Sequence, residues 1–379
     1  MRVLIDATPV PADRGGVGRY VDELVPALVR IGVDVAAAVQ SRDAAALRTA
    51  WDGADVVAAP RETRSRQARF AWEQVGLPGL ARRMGADVLH SVHYTSPVRP
   101  STASVITVHD ATFFSHPELH GGVKGRFFRA AVRRAVRAAD EIVVPSAATR
   151  DEVLRFAGGD PVRFTIAPHG VDVARFHPAD EADIARVRST LGLADLPYVA
   201  FLGTLEPRKN VPALIRAWIR ASAGRAVPPA LVLAGGPGWD DQVAPAIAAV
   251  PAGLTLVRPG YLPLGDLAAF FSGAEVVAYP SLGEGFGLPV LEAMACGAPV
   301  LTTPLLSIPE VGGDAVAYTA PDDTAIADSL TGLLNDPRRR AALRGAAIAR
   351  ARTFTWEASA RAHLVAYHRA TERRRSTAG

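Results

Sequence analysis

Ser281-Leu-Gly-Glu-Gly-Phe-Gly-Leu-Pro-Val-Leu-Glu-Ala-Met-Ala-Cys-Gly297 is the stretch on which the fold turns. It follows an apolar run, Glu275–Tyr279, that reads as a buried strand. Three closely spaced glycines let the backbone turn its amides inward. Pro289 then opens a helical pattern whose end is marked by Gly297. A strand, a glycine turn and a helix in that order form the βα unit of a parallel sheet, with a helix N-terminus able to face an anion.

Outward from this unit the same scheme recurs along the chain. Short apolar runs lie at Tyr198–Leu202, Leu231–Ala234, Leu254–Val257 and Val300–Leu301 in the second half. The first half has Val3–Ile5, Val33–Val39, Val56–Val57, Val88–Leu89, Val105–Val108 and Ile142–Val144. Continuous apolar strands alternating with helices indicate parallel sheets covered on both faces. The strands are too many for one Rossmann sheet, so the expected fold class is α/β with two Rossmann-like domains. The polar stretch after His169-Gly-Val-Asp172 places the expected boundaries at 1–172, 173–355 and a last segment 356–379, whose helix crosses back to the first domain.

Gly203-Thr-Leu-Glu-Pro-Arg-Lys-Asn210 follows the first strand of the second half, with Asn210 as an expected helix cap. Ligands bind at the carboxyl edge of such sheets, and Arg208 and Lys209 there suit a pyrophosphate. The 281–297 stretch adds free amides at Gly287 and Leu288, and carboxylates at Glu284 and Glu292 suited to sugar and ribose hydroxyls. The bland alternative is a solvated turn and two solvated helix-end carboxylates.

The Glu-(seven residues)-Glu pattern within this stretch resembles the signature of retaining glycosyltransferase family 4, which has the GT-B fold, two Rossmann-like domains with parallel sheets facing across a cleft. Gly203–Asn210 is similar to the phosphate-binding loop of its GDP-mannose-dependent mannosyltransferases. The resemblance implies transfer of a hexose, mannose favoured, from a nucleoside-diphosphate sugar to a glycan or lipid-linked acceptor with retention. It puts Glu284 on the donor sugar, Glu292 on the ribose, and Lys209 on the diphosphate. Gly203, Thr204, Gly285, Phe286, Gly287 and Leu288 complete the donor site. The chain departs from many relatives at Thr204, where they have arginine; Arg208 is the expected second cation. A sugar-nucleotide epimerase of the same fold and a nonenzymatic carbohydrate- or nucleotide-binding protein are the alternatives.

In the first half, Arg14-Gly-Gly-Val-Gly-Arg-Tyr20 lacks the spacing of a dinucleotide fingerprint. By resemblance the amides of Gly16 and Val17 face the donor diphosphate. His109, at the end of a strand, orients a sugar hydroxyl, and Asp110 is the acceptor-side candidate. The catalytic set is therefore His109, Glu284, Arg208 and Lys209, with no covalent nucleophile nominated. His169 stands where relatives often carry asparagine.

Composition bounds the rest. One cysteine, Cys296, excludes an intramolecular disulfide framework, and no Cys/His cluster suggests zinc. No Asp-x-Asp motif occurs, so metal-assisted departure is not expected, nor is a cofactor beyond the sugar nucleotide. The chain reads as cytoplasmic, without signal peptide or membrane span. Residues 1–170 carry 22 Lys/Arg against 18 Asp/Glu and the remainder 20 against 20, so a local basic face is expected and not a nucleic-acid surface. Residues 124–137 hold six cations, with apolar residues at 127, 128, 131, 132, 135 and 136 at helical spacing. This predicts a core-facing helix whose solvated side can meet anionic lipid at the inner face of a membrane. Arg61, Arg64, Arg66 and Arg69 are expected in a mobile loop on the acceptor side.

Overall fold

The computed structural model describes residues 1–119, 122–193 and 195–378. It divides into two units, Met1–Gly170 with Thr355–Gly379, and Val171–Phe354. The first holds β1 (Arg2–Asp6), β2 (Asp34–Val39), β3 (Asp55–Ala58), β4 (Val88–Ser91), β5 (Ala103–Thr107), β6 (Glu141–Val144) and β7 (Phe164–Ile166). The second holds β8 (Tyr198–Leu202), β9 (Ala230–Ala234), β10 (Leu256–Gly260), β11 (Val276–Tyr279), β12 (Val300–Thr302) and β13 (Ala317–Tyr318). The sheet orders are β3-β2-β1-β4-β5-β6-β7 and β10-β9-β8-β11-β12-β13, and every pairing is parallel. In each sheet the winding reverses direction at one point, between β1 and β4 and between β8 and β11. Ligand-binding crevices form at such points, outside the carboxyl ends of the strands.

The central strands are apolar on both faces because helices cover both. Val3, Leu4 and Ile5 of β1 and Val199, Ala200 and Phe201 of β8 are wholly buried. Each large aliphatic or aromatic side chain so placed contributes roughly 1.5–3 kcal/mol. Trp218 is among the largest of them, and its indole donates to the Pro229 carbonyl at 2.8 Å, so burial leaves no polar atom unmet.

The last helix, Trp356–Ala378, belongs to the first unit. A chain of hydrogen bonds ties it to the sheet. His363 Nδ1 lies 2.7 Å from the Ser359 carbonyl, which can only accept. Its Nε2 therefore accepts from the Tyr20 hydroxyl, at 2.7 Å. Tyr20 in turn accepts from Thr107, which accepts from His90 Nε2, leaving His90 Nδ1 to accept from Tyr367. With both rings neutral, as their burial favours, every bond has this sense. Burial pushes His90 well below its ordinary value and His363 down to about 4.

Because these folded-state values are lowered, the unfolded chain takes up protons first as the pH falls. The stabilisation is complete above about pH 6.5 and is lost between there and about pH 4. For His363 alone the loss is on the order of 3 kcal/mol, at 1.36 kcal/mol per pKa unit. The denaturation midpoint of the first unit, followed by near-ultraviolet circular dichroism, should fall steadily across that interval. A midpoint unchanged between pH 7 and pH 4.5 contradicts the neutral chain.

One expectation needs correction, and a second basic stretch agrees with its expected core-facing helix. Arg61, Arg64, Arg66 and Arg69 are not in an irregular loop: Arg61–Arg64 forms a single 3₁₀ turn and Arg66–Arg83 an α-helix. Ser65 caps that helix, accepting from Ala68 N at 3.2 Å, and Arg69 pairs with Glu73 one turn on at 2.9 Å. The basic stretch forms the helix Gly122–Ala138 with Val132, Ala135 and Val136 buried and Arg126, Arg133, Arg134 and Arg137 exposed. Lys124, at its start, has a side chain outside those described. Among the described residues no helix is long and apolar enough to cross a membrane.

Candidate active site

The loops after β8 and β11 flank the reversal point of the second sheet, and they are bolted together. Leu282 N donates to the Arg208 carbonyl at 2.8 Å. Gly235, after β9, supports the first loop from beneath. Its φ is 122°, and a Cβ there would lie 2.2 Å from the Gly203 carbonyl oxygen, so only glycine lets the two backbones approach. Gly203 and Thr204 sit directly above this contact, partly exposed.

The geometry brings Arg208, Lys209 and Glu284 into one buried cluster. Lys209 Nζ donates to Glu284 Oε1 at 2.7 Å and to the Tyr279 hydroxyl. Arg208 Nη1 lies 2.5 Å from Glu284 Oε2, and its Nη2 lies 2.6 Å from Glu206 Oε1. Ser281 Oγ donates to Glu284 at 2.6 Å. Lys209 is 7% and Glu284 6% exposed, which rules out the solvated-turn reading.

Burial alone would raise the Glu284 carboxyl, but Arg208 and then Lys209 overrule it and bring it down to about 2. Burial, followed by the neighbouring Arg208 charge, lowers the Lys209 ammonium, against the pull of Glu284 and Glu206. The four charges sum to zero. Such a cluster is costly to break wherever the missing partner leaves a charge without a counter-charge away from water.

Beyond Glu284 the chain passes Gly285 and buried Phe286 to Gly287, whose φ of 94° turns it into the helix Leu288–Ala295. A Cβ at Gly287 would lie 2.7 Å from Ile308 Cδ1. The amides of Gly287 and Leu288 open the first turn, where a helix has no acceptor of its own. Glu292 follows one turn in, 4% exposed. Asn210 departs from expectation: it occupies the cap position of the helix Val211–Ser222 but lies in the left-handed region at φ 58°, and its amide donates to the Pro321 carbonyl at 2.7 Å.

In the first unit, Gly16 and Val17 lie in the opening turn of the helix Gly15–Arg30, their amides likewise lacking intrahelical acceptors. His109 Nε2 meets the Val92 carbonyl at 2.8 Å, so this nitrogen carries the proton and Nδ1 of the neutral ring is an acceptor. Burial lowers its pKa, keeping the ring neutral. Asp110 accepts from Tyr94 at 2.9 Å and from the Thr112 amide and hydroxyl, so its carboxylate is committed to holding the turn. His169 is buried and stacks on Trp356 with centroids 5.7 Å apart.

Sequence reasoning missed Tyr279, Ser281, Glu206 and Gly235. Only the last had a visible signal, the Gly-Gly-Pro-Gly run following an apolar strand.

Two parallel-sheet Rossmann-like units, the second with a buried ionic cluster at its reversal point, define a two-domain α/β architecture. Comparison with known proteins makes the assignment narrower. Residues 14–175 match the model of Glycosyltransferase Family 4, and residues 184–350 that of Glycosyl transferases group 1. O-antigen chain mannosyltransferase B of Escherichia coli is 31% identical over 272 residues, covering 71% of each chain. D-inositol 3-phosphate glycosyltransferase of Kineococcus radiotolerans is 29% identical, covering 98% of this chain and 94% of its own. Among solved structures, Anabaena HepE in complex with UDP-glucose superposes with a TM-score of 0.75 at 19% identity, covering 95% of this chain and 97% of that one. This chain belongs to the glycosyltransferases that carry a Family 4 domain followed by a group 1 domain, and has the GT-B fold.

Proposed function

We propose that the chain transfers a hexose from a nucleoside-diphosphate sugar to a hydroxyl of a glycan or lipid-linked acceptor, with retention of anomeric configuration. GDP-mannose is the favoured donor, a choice supported by the likeness to an O-antigen mannosyltransferase. The observation that carries the proposal is the buried Arg208–Glu284–Lys209 cluster beside the glycine turn that leads into Leu288–Ala295.

On this reading the diphosphate takes over Lys209 and Arg208 as its counter-charges, and the opening amides of Gly287 and Leu288 add hydrogen bonds. Glu284, relieved of its cations, accepts from a hydroxyl of the donor sugar. Glu292 accepts from the ribose. As the glycosidic bond to the leaving oxygen lengthens, negative charge grows on the diphosphate, and the fixed cations stabilise it without reorganising. His109 orients a sugar hydroxyl through Nδ1, and the amides of Gly16 and Val17 serve the diphosphate. The arginine face of Gly122–Ala138 meets anionic lipid on the cytoplasmic side.

Release of nucleoside diphosphate in a mixture of GDP-, UDP- and ADP-sugars with candidate acceptors tests the proposal. Release should require both a donor and an acceptor, the product should keep the donor's anomeric configuration by NMR, and saturating EDTA should leave the rate largely intact. Turnover abolished by EDTA and restored by magnesium or manganese would overturn the metal-independent departure.

A further inference from the structure

The first unit has a cavity at its own reversal point. Segments following β1, β2, β3 and β4 enclose about 260 Å³, room for about nine waters at ~30 Å³ each and so for one sugar- or polyol-sized group. It lies at the carboxyl edge of the sheet, where the topology places ligands. Its wall carries Arg42, Arg64, Arg66 and Arg69, and none of the described residues lining it is acidic.

The four guanidinium groups are not equivalent. Arg69 is buried and held by Glu73, which also accepts from Thr95 at 2.6 Å, so this pair is a fixed floor. Arg42 donates to the Val10 carbonyl at 3.1 Å and pairs with Asp43 at 3.4 Å. Arg64 and Arg66 are exposed and have no hydrogen-bond or ion-pair partner among the described residues. Two uncompensated positive charges therefore face the cavity. Phe70, with the Arg69 guanidinium 4.3 Å from its ring centre, and Phe128 add aromatic surface to the lining.

We infer that this cavity binds a phosphate-bearing hydroxyl compound, and that the acceptor is of that class. A phosphate monoester carries about −1.5 to −2 at pH 7, which matches two free guanidinium groups, whose fork geometry suits phosphate oxygens. The phenyl rings cover the carbon face of the sugar or polyol. Calling the ligand the acceptor rests on the proposed glycosyltransferase reaction; the binding of phosphate does not.

The full chain is first saturated with the nucleoside diphosphate it binds, so that Lys209 and Arg208 are occupied. It is then titrated calorimetrically with glucose, with glucose 6-phosphate, and with monomeric dihexanoyl phosphatidic acid, a lipid-borne phosphate monoester that offers no membrane surface. The expected result is at least ten-fold preference for the phosphorylated probe, soluble or lipid-borne. The Arg64→Ala/Arg66→Ala variant should lose that preference at least ten-fold while keeping its nucleotide affinity, and both arginines are exposed, so folding is preserved. A preference confined to glucose 6-phosphate assigns a soluble acceptor, and one confined to dihexanoyl phosphatidic acid a lipid-linked one. Equal binding of phosphorylated and neutral probes, or a preference that survives in the double variant, overturns the inference. If no nucleotide binds, the donor assignment falls instead, and the response of the double variant still decides the phosphate site.

Discussion

Lys209→Ala should lose most turnover, by about a hundred-fold or more, and weaken nucleoside-diphosphate binding roughly ten- to hundred-fold. A charge-assisted contact to phosphate is worth about 1.5–3 kcal/mol, which sets the binding loss. The catalytic loss is larger because charge on the leaving group is greatest in the transition state. Stability should suffer less than a buried lysine would suggest. Glu284 keeps Arg208 at 2.5 Å and Ser281 at 2.6 Å, so removing the ammonium leaves no carboxylate stranded. Calorimetric titration with GDP and UDP decides the matter, and unchanged affinity for whichever nucleotide binds would sink the phosphate role of Lys209.

Glu284→Gln should behave differently, and here the structure changes what volume alone implies. The amide is isosteric, but the carboxylate neutralises two buried cations. Without the carboxylate charge, Arg208 retains Glu206 as a counter-charge, whereas Lys209 keeps the Tyr279 hydroxyl and an amide oxygen but no direct carboxylate. Breaking such a buried set costs about 3–5 kcal/mol. The titration of Glu284 gives the same scale: a folded value near 2 against 4.5 is worth on the order of 3 kcal/mol, present above pH 4.5 and lost as the pH falls through 2.

A bound diphosphate would replace the missing negative charge. The variant should therefore gain more thermal stability from nucleoside diphosphate than the wild type does, bind it at least as tightly, and turn over slowly. Glu292→Gln, one turn into the helix, should instead weaken free diphosphate and sugar nucleotide alike, because the ribose is common to both. Equal loss of diphosphate affinity in the two variants would show that the division between the two carboxylates is mistaken.

The ion-pair cluster also marks the limit of what the sequence discloses. Strands with continuous apolar runs, such as Tyr198–Leu202, were legible because burial on both faces leaves no room for polar residues. The edge strands Phe164–Ile166 and Ala317–Tyr318 were not, since three and two residues carry no periodicity. The turn chemistry around Gly287 was readable from Gly-Leu-Pro, with its proline in the first turn and glycine before it. That Glu284 pairs with Arg208 and Lys209 was not, because 75 residues separate the carboxylate from the ammonium and only the β8–β11 adjacency joins them. Composition at 61–69 suggested a mobile cationic loop, whereas the Ser65 cap and the Arg69–Glu73 pair make it the start of a helix. Chemistry local to one loop can be read from its residues, and chemistry assembled by sheet order waits for the fold.

The most direct measurement of the donor assignment is a thermal-shift screen of the full chain against GDP-, UDP- and ADP-sugars and their free diphosphates. A ligand that binds only the native state raises its stability by about 2.7 kcal/mol at a hundred times its dissociation constant, so a real donor is visible. One nucleotide series should raise the melting temperature in the wild type, raise it further in Glu284→Gln, and raise it much less in Lys209→Ala. No shift with any nucleotide, or an equal shift in Lys209→Ala, would contradict a donor site built on Arg208, Lys209 and Glu284.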